Sequence, residues 1–139
     1  MYYGNLISTT ISQNKIDEIT AAIERINDQL PSLITLTKEE FSSMPKVSYQ
    51  NIDFIHEVLE FADTYPEMVP EHINVQEIRK DLELIESISA ILKPMKRLVK
   101  KLEDSALLAG SEAYVPSLAI YNSVKTSRGM DRSGQLSAH

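Results

Sequence analysis

No cysteine occurs in the 139 residues, which removes disulfides, thiolate nucleophiles and cysteine metal sites together. Glycine and proline are scarce, four and six respectively, too few for the many turns of a β-sandwich. Nowhere do eighteen apolar residues run together, so no membrane-spanning helix is expected. The opening residues, Met1 to Ser8, carry no basic segment followed by a long apolar one and do not read as a secretory signal. A cytoplasmic setting is the expected localisation.

Apolar residues make up 42% and charged residues 24%, close to the averages of a folded globular chain. The length suits one domain, expected as a helical bundle domain over 1–128 with a polar tail at 129–139. Net charge is −6, unevenly spread. Residues 1–72 hold four Lys/Arg against twelve Asp/Glu, and residues 73–139 hold ten against eight. An acidic first half disfavours nucleic acid as the main partner, because duplex binding depends on neutralising phosphates. The asymmetry also lets one half attract the other, within a chain or between copies.

Apolar spacing predicts four principal helices. Ile16, Ile19, Ile23, Ile26 and Leu30 recur every three or four residues and form one stripe on a helix from about Ser12 to Leu30, which Pro31 stops. Residues 31–48 connect, with a possible short helical turn opened by a Thr37/Glu40 capping box. A second helix spans about Tyr49 to Tyr65. Its stripe of Ile52, Ile55, Leu59 and Ala62, widened by Phe54, Val58 and Phe61, suggests packing against two neighbours. Pro66 to Pro70 reads as a short extended stretch, and Asn74 with Glu77 as another capping box. A third helix then runs to about Ala109, kinked but continuous at Pro94 because no turn residues flank it. Gly110 and Ser111 read as the turn before a last helix, Glu112 to Arg128. The expected fold is all-α, a four-helix-bundle-like single domain with a long kinked third helix.

Three C-terminal runs are distinctive: Lys101-Leu102-Glu103-Asp104-Ser105, Gly110-Ser111-Glu112-Ala113-Tyr114 and Tyr121-Asn122-Ser123-Val124-Lys125. With the proline-bounded segment from Pro66 to Val75 and on to Asp81-Leu82, they resemble a group of small uncharacterised bacterial all-helical proteins. The resemblance covers about 60 residues and implies a helical fold and no activity. Pro116 departs from the plain helix former expected there.

Chemistry-bearing constellations are few. Asp53-x-x-His56 with Glu60 is the nearest approach to the Glu-x-x-His pairs of a di-iron bundle, but no second copy exists, and His72 and His139 lie in a loop and at the tail. No nucleophile elbow, phosphate-cradling glycine loop or zinc-protease helix motif occurs. No cofactor and no enzymatic activity are expected. The run Lys93, Lys96, Arg97, Lys100 and Lys101 is a cationic stripe with no acidic residue inside it, and Leu92, Met95, Val99 and Leu102 occupy the other side. It reads as a solvated face, as a partner for the acidic first helix, or as a site for an anionic surface: lipid headgroups, nucleic acid or an acidic protein. Gly110 to Tyr114 reads either as a recognition corner or as a helix-to-helix turn with Tyr114 and Tyr121 packed on the bundle.

The leading expectation is a structural or interaction protein that self-associates through Ile16, Ile19, Ile23 and Ile26, since isoleucine at both stripe positions favours assemblies larger than dimers. The alternative is an adaptor or regulator that binds an anionic partner through Lys93–Lys101.

Overall fold

The computed structural model describes residues 5–128, and the expected tail at 129–139 lies outside the described residues. Four α-helices carry the chain: α1 (Gln13–Gln29), α2 (Lys38–Ser43), α3 (Tyr49–Thr64) and the long α4 (Val75–Arg128). A 3-10 turn, Pro66–Met68, lies between α3 and α4, and no strand occurs among the described residues. The chain divides into two compact units, residues 13–94 and residues 5–12 with 95–128.

In the first unit, local chemistry accounts for each helix end. The Leu30 N–H donates to the Asn27 carbonyl at 3.2 Å, closing α1 just before Pro31. At α2 the predicted capping box forms. The Glu40 N–H donates to the Thr37 hydroxyl at 3.1 Å and the Thr37 N–H to the Glu40 carboxylate at 2.9 Å. A second box opens α3, where the Ser48 hydroxyl accepts from the Asn51 N–H and the Asn51 side chain accepts from the Ser48 N–H. Sequence reading misses it because Asn replaces the usual Glu or Gln at the third helical position. Asn74 caps α4 by accepting from the Gln76 and Glu77 amides at 3.0 and 3.3 Å. The Glu77 carboxylate, expected to complete a capping box there, is instead 3.3 Å from Lys80.

Hydrogen bonds with Thr37, its backbone amide first and its hydroxyl second, hold the Glu40 carboxyl below the ordinary carboxylate range. A depressed folded-state value means that this contribution to α2 is present above the ordinary pKa and is lost as pH falls through the lowered one. In an NMR titration, the Glu40 side chain and the Thr37 amide are expected to shift together, with one midpoint below those of exposed glutamates. Separate midpoints would show the two groups to be unlinked.

Two sequence expectations are corrected here. Pro66 to Pro70 is not extended. The Met68 N–H reaches the Tyr65 carbonyl at 3.0 Å and the Val69 N–H the Pro66 carbonyl at 3.2 Å, a tight turn that proline at its first position pre-sets. Nor is there a turn at Gly110-Ser111: the expected third and last helices are one element, α4, of 54 residues. Glycine ends a helix when it adopts a left-handed conformation; inside a helix it only weakens it, by about 1 kcal/mol relative to alanine. Gly110 lies within α4 and has no heavy atom within 4 Å of where a Cβ would sit. Gly110→Ala is therefore expected to stabilise the protein by about 0.5–1 kcal/mol, read as a higher urea midpoint. A loss of stability would mean that the helix breaks there in solution.

The interior is small. Only Leu59 of α3 and Leu82 of α4, 4% and 5% exposed, are buried among the described residues. They belong to an α3–α4 hairpin bridged by the Arg79–Asp63 ion pair and by a contact of His56 Nε2 with Glu86 Oε1 at 3.8 Å. In the second unit, the Leu6 and Ile7 amides both donate to the Glu112 carboxylate, so one side chain of α4 anchors the segment before α1.

Candidate functional site

The features that set this chain apart are helix faces with nothing over them. On α1 no residue is buried, and Ile16, Ile19, Ile23 and Ile26 are all exposed, Ile23 at 57%. The stripe predicted from spacing is present, and no residue of it is buried among the described residues. Numbered as a coiled-coil heptad, the four isoleucines fall alternately on the two seam positions, and Lys15, Thr20, Ala22, Asn27 and Gln29 flank them. The acidic residues of α1 lie on the outer positions, with Gln13 bonded to Asp17 at 2.9 Å and Lys15 paired with Glu18 at 3.3 Å.

On α3, Ile52, Ile55 and Ala62 are half-buried around Leu59, whereas Phe54, Val58 and Phe61 stand exposed, Phe61 at 67%. The second neighbour expected from the broad stripe is therefore missing among the described residues. Phe61 stacks on Tyr65 with ring centroids 6.0 Å apart, and the two help to form an open apolar groove of about 510 Å³. Met68, Val69, Ile73 and Ile78 complete much of its wall, and Glu67 supplies the one charged group in the lining. Sequence reading misses the groove because it arises where the 3-10 turn folds back beside α3.

On α4, every residue from 89 to 104 is exposed. Within this stretch Lys93, Lys96, Arg97, Lys100 and Lys101 occupy one side, as the spacing predicts. Lys100 pairs with Asp104 at 3.0 Å, a solvent-facing contact worth a few tenths of a kcal/mol. Lys93, Lys96, Arg97 and Lys101 have no acidic partner among the described residues. The opposite side carries Leu92, Met95, Val99 and Leu102, also exposed. Leu84, Ile91 and Leu98, spaced by seven and likewise exposed, widen it. That sevenfold spacing is legible in the sequence, although the i, i+3, i+4 stripe alone passes over it.

The other singled-out positions resolve differently. His56 pairs with Glu86 across the hairpin and not with Glu60 on its own helix. Among the described residues no group of three or more His, Asp or Glu is arranged to hold a metal ion. Gly110 to Tyr114 is not a helix-to-helix turn but part of α4, and Tyr114 is 51% exposed where packing was expected. Tyr121 is half-buried, with the Lys125 ammonium 5.3 Å from its ring centroid. No described helix is long and apolar enough to cross a membrane.

These surfaces define a class: an all-helical chain whose amphipathic helices have apolar faces far in excess of its own interior. No family model, no curated protein and no solved structure matches it.

Proposed function

We propose that this chain is a non-enzymatic structural subunit that self-associates, its apolar helix faces covering one another between copies. The observation that carries this reading is α1. A helix of 17 residues with no buried side chain is marginal in water, since tertiary packing of an amphipathic face supplies most helix stability in proteins. A helix of this kind, with a bare isoleucine stripe, needs a partner surface, and isoleucine at both seam positions suits assemblies of more than two helices. In that assembly the helices complete four-helix-bundle-like cores, and Pro94 sets a bend in α4 where it removes one backbone bond. The kinship with small bacterial helical proteins and the cytoplasmic setting belong to the same reading and rest on sequence alone.

Molecular mass in solution tests it. Light scattering across micromolar concentrations should return a multiple of 15.7 kDa. A constant monomer mass would remove the reading.

A second reading has its own observation, four cations of the Lys93–Lys101 stripe with no acidic partner among the described residues: an adaptor or regulator that holds an acidic protein there. Reversing Lys96, Arg97 and Lys100 to Glu should abolish capture of that partner with helicity unchanged. Recovery of the same partner by both proteins would reduce the stripe to a solvated face.

A further inference from the structure

We infer that α1 of one copy lies in the apolar groove beside α3 of a second copy, antiparallel to it, in a reciprocal exchange between the two. This deepens the self-association reading, on which it rests, by naming the surface that covers α1. Both surfaces belong to the unit of residues 13–94. The exposed stripe of α3 is Phe54, Val58, Phe61 and Tyr65, with Met68 of the 3-10 turn at its end, and its successive gaps are 4, 3, 4 and 3. The stripe of α1 is Ile16, Ile19, Ile23 and Ile26, with Leu30 at its end, and its gaps are 3, 4, 3 and 4. Reversed, the second series is the first. Laid antiparallel, Ile26 meets Val58, Ile23 meets Phe61, Ile19 meets Tyr65 and Ile16 meets Met68, the spaced anchors of a helix seated in a groove.

Charge selects the occupant and its direction. Residues 49–69 hold five acids and no lysine or arginine, so two α3 faces set against one another would crowd like charges within a Debye length. The seam of α1 is flanked instead by uncharged side chains, with Lys15 the single charge. Antiparallel seating brings Lys15 beside Glu67, the one charged group in the groove lining. It also sets the first turn of α1, which holds no acidic residue, near the last turn of α3, which holds no basic one, so helix-dipole ends of opposite sign meet.

Area makes the exchange reciprocal. A stable dimer covers about 800 Å² on each partner. The exposed parts of Phe54, Phe61 and Tyr65 amount to about 350 Å², and the half-exposed isoleucines of α1 offer on the order of 200 Å². Neither face alone reaches the required area. A copy that both gives its α1 and receives the other's covers both faces, and Val58, Met68, Ile73 and the polar margins supply the remainder.

The absence of cysteine makes the register directly readable, because an introduced thiol is the only one in its chain. Three full-length proteins carry Ile19→Cys, Tyr65→Cys and Phe54→Cys, and are mixed in pairs while reduced and then oxidised. The proposal expects a disulfide-linked dimer, one chain of each kind by mass, when Ile19→Cys is mixed with Tyr65→Cys. It expects none with Phe54→Cys, since positions 54 and 65 stand roughly 17 Å apart along α3 at 1.5 Å per residue. A link to position 54 in place of 65 overturns the direction and with it the proposal. A link in Ile19→Cys alone means that α1 packs on α1, and overturns the groove as its cover while self-association stands. No mixed link, with a mass above the monomer by light scattering, has the same consequence. No mixed link together with a monomer mass overturns both readings; a link inside single chains carrying both Ile19→Cys and Tyr65→Cys then gives the groove to the chain's own α1. Reduced samples with unchanged circular dichroism establish that the variants fold, and Ile23→Cys with Phe61→Cys repeats the test one turn away.

Discussion

A chain carrying Ile19→Asp and Ile23→Asp is expected to run at a lower mass than the parent chain at the same concentration and to lose the helical signal of α1. Each isoleucine that becomes covered on association contributes about 1.5–3 kcal/mol, and an aspartate left unpaired in that seam adds a desolvation cost. Two substitutions per copy therefore remove at least about 3 kcal/mol, more than a hundredfold in an association constant. Because no side chain of α1 is buried among the described residues, the free helix falls to the marginal stability of an isolated peptide of its length. Light scattering reads the mass and circular dichroism at 222 nm reads the helix. Ala21→Asp, on the polar side of α1, is the matched control and should change neither. An unchanged mass in the double variant would show that the stripe is not an interface.

Leu82→Ala carries the other large effect. Truncating a buried leucine costs about 2–5 kcal/mol, made up of lost transfer energy and the cavity left behind. A domain is stable by only about 5–15 kcal/mol in total, and here Leu82 and Leu59 are the two side chains buried among the described residues. Losing one of them removes a large share of what holds α3 against α4, since the Asp63, His56 and Glu86 ends of the Arg79–Asp63 and His56–Glu86 contacts face solvent and such contacts contribute little. The urea midpoint should fall by about 1–2 M, given the usual denaturant dependence for small proteins. Protein concentration must be held constant, because association and folding are linked. Leu107→Ala, at a side chain 76% exposed, should leave the midpoint where it was. Equal shifts at positions 82 and 107 would mean that the hairpin core is not where stability resides.

Charge patterning separates the two effects. The polar faces of α1 and of the basic stretch of α4 lie opposite their apolar stripes, so the charges tune solubility and orientation while the apolar residues supply the contact energy.

Local chemistry alone determined most of the secondary structure. The three-and-four spacing of Ile16, Ile19, Ile23 and Ile26, the stop at Pro31, the Thr37/Glu40 box and the Asn74 cap are interactions within a few residues of one another. They are therefore readable without knowing what packs where. Where a local signal was misread, two local effects competed. Gly110 looked like a turn because glycine permits one, but the helix formers on either side of it favour continuation over the modest cost of a helical glycine. Only the tertiary structure decided which stripes are covered. Burial is a property of what lies opposite a face, and spacing says nothing about that. Leu59 and Leu82 look no more central in the sequence than Ile23 or Leu98, yet the hairpin closes over the first pair and leaves the second in solvent. That difference leaves the apolar stripes of α1 and of the middle of α4 exposed among the described residues, where spacing alone reads them as core.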